Sequence, residues 1–333
     1  MKKWQIALMW LLPIVVAVVS LGIGRFYVDP ITIVKILTSQ VFPIDQTWSN
    51  MEETVVMNVR FPRILLALLI GSGLAMAGAS FQGMFGNPLV SPDILGVSAG
   101  AGFGASLGIL LFGQGVTAQL LALVFGLLAI LFTFFVAGNR KNAAIYMFVL
   151  AGVITSALFN ALISLTKFVA DPEEKLPAIT YWLMGSLGTA TYRDLSIAGP
   201  IILFGMLILY VLRWRLNLLT LPEDEAKSMG IPVTALKWAV IAGATIITAA
   251  TVAAAGIVGW VGLIISHVAR MFVGNNNQFV LPVSLAIGSV YLLIIDDLAR
   301  SLTATEIPLS ILTAIIGAPF FAYLLRRMGG RWV

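Results

Sequence analysis

Apolar windows about as long as a bilayer is thick recur along this 333-residue chain, and the pair at 60–101 constrains the fold most. It reads RFPRILLALLIGSGLAMAGASFQGMFGNPLVSPDILGVSAGA. An apolar run rich in small residues opens on Arg60 and Arg63, breaks at a Gln-Gly…Asn-Pro-Leu…Pro-Asp turn and restarts at once. In hydrocarbon a backbone must satisfy its own polar groups, so the pattern predicts a membrane helix, a tight turn and a second membrane helix. Hydrophobic residues are 59% of the chain and charged residues 11%. A soluble domain runs nearer 45–50% and about 25%. One soluble core cannot hide so many long apolar runs, so the chain reads as a polytopic all-α membrane protein.

Ten spans are expected, near 5–24, 59–82, 94–112, 117–137, 143–167, 195–212, 235–255, 258–272, 279–297 and 306–325. The eighth is short and Gly-rich and need not cross the whole bilayer. The N-terminal MKKWQIALMWLLPIVVAVVSLG is read as an uncleaved first span, because its apolar part is long and no A-x-A-like cleavage site follows. Even parity puts both termini on one side. The positive-inside rule makes that side cytoplasmic, with 12 Lys and Arg inside and 8 outside. Lys2, Lys3, Arg140, Lys141, Arg326, Arg327 and Arg331 are among the inner set. Spans two to five and seven to ten are equal in number and opposite in direction, which permits an inverted repeat. No linker separates a second domain, so 1–333 reads as one permease domain.

The net charge of +5 is spread over short loops without a cluster of the nucleic-acid type. The chain has no cysteine, hence no disulfide, thiolate metal site or cysteine nucleophile. His267 is the single histidine and lacks neighbouring ligand residues, so it reads as structural, and no metal site is expected. No G-x-x-x-x-G-K-[ST] occurs, so the chain has no phosphate loop of its own. The acidic residues lie in loops or near span ends, which weakens a proton-coupled reading.

Small residues mark two faces. Gly96, Gly100, Gly104 and Gly108 recur every fourth residue, and Gly71, Gly73, Ala75, Ala77 and Ser80 line the preceding span. Such spacing lets helix backbones approach, and close packing is preferred over a wide aqueous pore. In the turn 82–93, Pro88 and Pro92 remove donors and Gly86 permits unusual dihedrals, while Asn87 and Ser91 can cap the next helix. The concentration of special residues favours a gate or a partner contact.

Three polar stretches are long enough to carry function: outer loops 25–58 and 168–194, and inner loop 213–234. Arg60 and Arg63, at the outer end of the second span, form with Arg300 a candidate outer face for an acidic partner, while Asp296, Asp297, Arg300 and Glu306 read more plainly as ion-paired among themselves. A short helix near 176–186 is expected at the membrane surface. In the inner loop, Pro222 followed by Glu223, Asp224 and Glu225 suits a helix start, and Gly230 suits its stop. Leu221, Ala226 and Met229 give that helix an apolar side, which docks on the membrane surface or on a cytoplasmic protein. Arg270 is expected to snorkel to the inner interface.

From about residue 56 onward the chain resembles the FecCD-type permeases of bacterial ABC importers. The resemblance rests on R-F-P-R (60–63), Gly71, Gly78, Gln82, N-P-L (87–89), S-P-D-I-L-G (91–96), W-L-M-G-S-L (182–187), L-N-L-L (216–219) and E-D-E-A (223–226). It continues through G-I-V-G-W-V-G-L (256–263), H-V-A-R (267–270), D-D-L-A-R (296–300), E-I-P (306–308) and G-A-P-F-F (317–321). It implies a ten-helix type II importer fold in the inner membrane. The partners it implies are a second identical or similar permease subunit, two cytoplasmic ATPase subunits that hold ATP and Mg, and an extracytoplasmic substrate-binding protein. No cofactor is implied on this chain, and it would break no covalent bond.

The resemblance also implies residue roles. Arg60, Arg63 and Arg300 would dock the binding protein, and Asn87 and Leu89 would line the cytoplasmic gate. Residues 221–231, with Leu221, Glu223, Asp224, Glu225, Ala226, Met229 and Gly230, would be the ATPase-coupling helix. Trp182, Gly185 and Ser186 would belong to the outer gate. An iron-siderophore moved inward by alternating access is the cargo first implied. Haem, cobalamin or a molybdate-like oxyanion would suit the same architecture, and a stand-alone secondary transporter is the alternative of another class. The chain departs from the family pattern at Pro222, Trp260 and Ser266. It also has Asn276, Asn277 and Gln278 where an Asp-His-Arg-like triplet is usual.

Overall fold

The computed structural model describes residues 3–138 and 145–328, and every regular element in it is helical. Lys2, Arg140, Lys141 and Arg331, four of the basic residues used to orient the chain, lie outside the described residues. The elements are α1 (Lys3–Gly22), α2 (Pro30–Ser39), α3 (Asn50–Glu53), α4 (Phe61–Phe85), α5 (Val97–Phe112), α6 (Val116–Ala137) and α7 (Ile145–Val169). They continue with α8 (Lys175–Leu183), α9 (Tyr192–Leu212), α10 (Glu223–Ser228), α11 (Val233–Ala255), α12 (Val261–Val273), α13 (Asn277–Ser301) and α14 (Leu309–Met328). Ten of these helices coincide with the ten expected apolar spans. Among the described residues six are long and apolar enough to cross a membrane, and α12 is one of the shorter apolar ones, as its glycine content suggested.

Local chemistry sets the helix ends. Asp29 caps α2 through the Ile31 and Thr32 N–H groups, with Pro30 opening the helix. Ser49 with Glu52, and Thr191 with Asp194, form capping boxes at α3 and α9. Gly86, at φ 60°, stops α4 in the left-handed conformation that a side chain disfavours. Between α3 and α4 the helix widens into a seven-residue π-helical turn, Thr54–Arg60, which rotates Arg60 and Arg63 relative to the loop before them.

Helix α4 is the axis of the bundle, buried almost continuously from Pro62 to Met84. It packs against α9, α11, α12 and α13. Small residues make this crowding feasible. A Cβ on Gly71 would lie 2.2 Å from the Gly288 carbonyl oxygen of α13, and one on Gly78 would lie 2.0 Å from that of Gly262 on α12. The glycine row of α5 packs on α6 in the same way, Gly104 against the Leu121 carbonyl and Gly108 against Ala118. The packing reading of both small-residue faces therefore holds. Thr133 adds a polar tie, donating to the Leu95 carbonyl at 2.8 Å and bonding Thr155 of α7 at 2.8 Å.

The outward surfaces of α6 and α9 present Leu120, Val124, Leu127, Leu131, Phe135, Leu203, Phe204, Leu207 and Val211 to the surroundings. So much contiguous exposed apolar surface would not be stable in water and fits acyl chains. The ion pairs of Arg63 and Arg300 with Asp296, Asp297 and Glu306 lie together at one end of the bundle.

Candidate functional site

At the end assigned to the outside, Arg60, Arg63 and Arg300 do come together. Arg60 and Arg63 stand one turn apart at the start of α4, and Arg300 lies in the last turn of α13. They are not an exposed cationic face, however, being only 4%, 4% and 6% exposed. Arg63 grips Asp296 through Nε at 2.9 Å and Nη2 at 2.9 Å, and reaches Glu306 through Nη1 at 2.7 Å. Arg300 donates to Asp297 at 2.5 Å and to the Ser20 carbonyl at 2.7 Å, while the Ser20 hydroxyl donates to Asp297 at 2.6 Å. Arg60 donates to the Leu21 carbonyl at 2.6 Å and to that of Phe26.

The expectation of a free arginine face is corrected accordingly. Burial at the head of the bundle strips these guanidinium groups of water, and carboxylates and carbonyls of the same chain replace it. Arg300 pairs with Asp297 as the plainer reading had it, and Arg63, not expected among the ion pairs, takes Asp296 and Glu306; together they staple α1, α4, α13 and the loop before α14. Ser20 was not singled out in the sequence. Only its position near the end of an apolar span distinguished it.

Beside this cluster lies the segment expected as outer gate. Helix α8 is shorter than the 176–186 anticipated, because Gly185 turns the chain at φ 73°. Trp182 is half-buried, Gly185 buried and Ser186 exposed. Three main-chain hydrogen bonds clasp the segment. The Ser186 N–H reaches the Ala255 carbonyl at 2.9 Å, Leu309 N–H reaches Gly185 at 2.9 Å and Ser310 N–H reaches Met184 at 3.2 Å. The ends of α8 and α11 and the start of α14 are thereby one junction. Just beyond it the chain unwinds over 256–260, and Trp260 adopts φ 70°, the sole non-glycine residue with positive φ among the described residues. Such a conformation costs on the order of 1–3 kcal/mol.

At the opposite end, α4 finishes in the expected turn. Gln82 donates to the Pro88 carbonyl at 2.8 Å and to that of Leu263 at 3.2 Å, closing the turn onto α12. Asn87 accepts from the Leu89 N–H at 2.9 Å in an Asx turn. The capping role anticipated for Asn87 and Ser91 is not realised. Asn87 serves its own turn, and Ser91 precedes the short 3-10 segment Pro92–Leu95 without a side-chain cap. Asn87 and Leu89 both project from the bundle, Leu89 being 43% exposed.

The inner loop carries a 3-10 segment, Arg215–Thr220, and then α10. Helix α10 has six residues, fewer than the two turns expected, and ends as anticipated at Gly230, φ 74°. Gly230 N–H bonds the Lys227 carbonyl at 2.9 Å and Ile231 N–H that of Ala226 at 3.1 Å, the pattern of a Schellman stop. Its apolar side is split. Ala226 is turned inward and buried, while Leu221 and Met229 are exposed beside Asp224 and Glu225. Arg270 does not snorkel outward as expected. It is half-buried and donates at 3.1 Å to both the Ala79 carbonyl and Asn277 Oδ1. His267 is buried on α12.

A helical bundle with an apolar outer surface, glycine-broken turns at both ends and a short acidic helix on one loop has the build of a membrane permease. The model of the FecCD transport family matches residues 11–327, and the chain belongs to that family. It is 44% identical over 321 residues to the molybdate import system permease protein MolB of Haemophilus influenzae, covering 96% of this chain and 94% of that protein. An iron chelatin transport system permease of Helicobacter pylori is 38% identical over 277 residues, 83% of each chain. A solved chain of a metal-chelate type ABC transporter in an inward-facing conformation superposes with a TM-score of 0.87 at 41% identity, covering 98% of this chain and all of that one. The protein is thus a multi-pass ABC importer permease, and its relatives are transport subunits.

Proposed function

We propose that this chain is the non-catalytic transmembrane passage of an importer that brings a metal-bearing anion into the cytoplasm, with a molybdate-like oxyanion as first cargo. The observation that supports this cargo is the similarity to a molybdate permease at 44% identity along 96% of the chain. The bundle agrees with it. Its middle is tightly packed and lined by small residues, which suits a compact cargo handed from one gate to the other. The iron-siderophore reading stays in play as the second. It is favoured by the iron chelatin relative and by the metal-chelate character of the solved neighbour.

In this reading two permease copies form the passage, both termini face the cytoplasm, and two ATPase subunits and a binding protein complete the importer. ATP binds the two access states with different affinity and so shifts their populations. Asn87 and Leu89 close the cytoplasmic gate, and Trp182, Gly185 and Ser186 close the outer one. A binding protein that docks through Arg60, Arg63 and Arg300 must first displace the main-chain carbonyls that hold Arg60 and the in-chain carboxylates that hold Arg63 and Arg300. Glu306 is the accessible one, its side chain 36% exposed.

Proteoliposomes holding the permease with its ATPase and binding protein test the cargo. ATP-dependent uptake of radiolabelled molybdate is expected. Uptake of a ferric chelate with none of molybdate would replace the first cargo by the second, and concentrative uptake by the permease alone would end the importer reading.

Helix α10 is proposed to seat in the ATPase subunit through exposed Leu221 and Met229 and the acidic Glu223, Asp224 and Glu225. Asp224→Lys combined with Glu225→Lys is expected to weaken association with the ATPase subunit by about tenfold or more, most at low salt, where screening is least. Unchanged affinity in a pull-down titration would count against this seat.

A further inference from the structure

Beneath the inner loop is a polar knot that the sequence did not foreshadow. Asn217, on the 3-10 segment leading to α10, uses both ends of its amide. Its Oδ1 accepts from the Asn277 main-chain N–H at 2.8 Å, and its Nδ2 donates to Asn276 Oδ1 at 2.8 Å. Asn276 Oδ1 also accepts from the Gln278 N–H at 3.0 Å, so Asn217 grips the N-cap of α13. Asn277, buried at 1% exposure, accepts through Oδ1 from Arg270 of α12 at 3.1 Å. The same Arg270 nitrogen donates at 3.1 Å to the Ala79 carbonyl of α4. Helix α4 lies directly on the Asn277 amide, since a Cβ on Gly83 would be 2.8 Å from its Oδ1. A few residues beyond Gly83 stand Asn87 and Leu89.

We infer that Asn217, Asn276, Asn277 and Arg270 form a positioning relay that transmits displacement of the coupling loop to the inner gate turn at the end of α4. The inference rests on the reading that α10 docks on the ATPase. The physical ground is continuity. Asn217 ties the loop to the first turn of α13 by two hydrogen bonds, and Arg270 ties that turn to α12 and α4. The bonds to the Asn277 N–H, the Asn277 amide oxygen and the Ala79 carbonyl are partly buried, where separating donor from acceptor without replacement is costly, and the Asn217–Asn276 bond is exposed. Moving the loop alone would break bonds at the knot, whereas moving loop, α13 start, α12 and α4 end together breaks none.

The knot makes an asymmetric demand on two chemically identical changes. Asn277 Nδ2 is buried and has no partner. Asn277→Asp therefore loses no hydrogen bond, and its contact with Arg270, already charge-assisted by the guanidinium, becomes an ion pair. Asn217 Nδ2 is in use, so Asn217→Asp sets a carboxylate oxygen against Asn276 Oδ1 and breaks that one of its two bonds to α13, leaving the one from the Asn277 N–H. A generic packing role would treat the two isosteric changes alike.

The absence of native cysteine allows a direct readout. Leu89→Cys, in the permease assembled with its ATPase subunits in nanodiscs, is labelled with a maleimide with and without Mg-ATP. The labelling rate is expected to change on ATP binding. That response should be lost with Asn277→Leu, weakened with Asn217→Asp and retained with Asn277→Asp, while ATP hydrolysis continues in all three. A response undiminished by Asn217→Asp, an equal effect of both Asp variants, or an Asn217→Asp chain that no longer assembles with the ATPase subunits would overturn the relay. A Leu89→Cys reference that binds the ATPase subunits yet shows no ATP response would overturn the coupling reading itself, and the relay with it.

Discussion

Arg63→Ala is expected to be the most damaging single substitution at the outer end, lowering stability by about 3–5 kcal/mol, the usual consequence of removing one partner of a buried ion pair. Asp296 is fully buried and Arg63 holds both of its oxygens, so the variant leaves a carboxylate without water and without its main counter-charge. Arg300 offers little relief, since its Nε stands 3.9 Å from Asp296 without a hydrogen bond. The check is thermal unfolding in detergent, where a large fall in melting temperature and a lower yield of monodisperse protein are expected. Asp296→Asn in the Arg63→Ala background should recover part of the loss, because it removes the orphaned charge. Wild-type stability in Arg63→Ala would mean that the arginine is not a staple.

Gly256→Ala is expected to disrupt the outer junction. Gly256 has φ 72°, where a side chain is strained, and its Cβ would lie 2.2 Å from the Trp182 carbonyl oxygen and 2.8 Å from the Gly185 Cα. Both neighbours are backbone, so no rotamer change relieves the contact. Strain of about 1–3 kcal/mol adds to the clash, and the clasp of 184–186 onto Ala255, Leu309 and Ser310 should open. A Ser186→Cys reporter should then react faster with a membrane-impermeant maleimide applied from outside. Unaltered reactivity together with unaltered stability would show that the junction tolerates displacement and is not the outer seal.

These two positions show how differently sequence and structure speak. The apolar windows announced the ten helices to within a few residues, because a span in lipid must be long, apolar and internally hydrogen-bonded. The breaks at Gly86 and Gly230 were readable for an equally local reason, since each is a glycine placed where a helix has to stop, whereas the stop at Gly185 was missed inside the helix expected over 176–186. The length of α10 was overestimated because Pro222, the acidic triplet and Gly230 mark its limits without fixing how many residues between them keep helical hydrogen bonds.

The orientation of the charged groups was not readable. Arg63 and Asp296 are 233 residues apart, and nothing in R-F-P-R distinguishes an arginine that faces water from one that faces a carboxylate across the bundle. Asn217 and Asn277 pose the same problem at the other end, 60 residues apart. In both places the helix start or loop was legible, and its partner was not.

Span number, helix ends and family membership follow from short-range pattern: hydrophobic length, capping residues and glycine stops act within one or two turns and leave their trace in consecutive letters. Which polar side chains face one another depends on how α4, α12 and α13 cross, a consequence of glycine contacts such as Gly71 on Gly288 and Gly78 on Gly262. Those crossings arise from steric fit between distant segments, and burial then dictates that the arginines, asparagines and carboxylates brought together must satisfy each other.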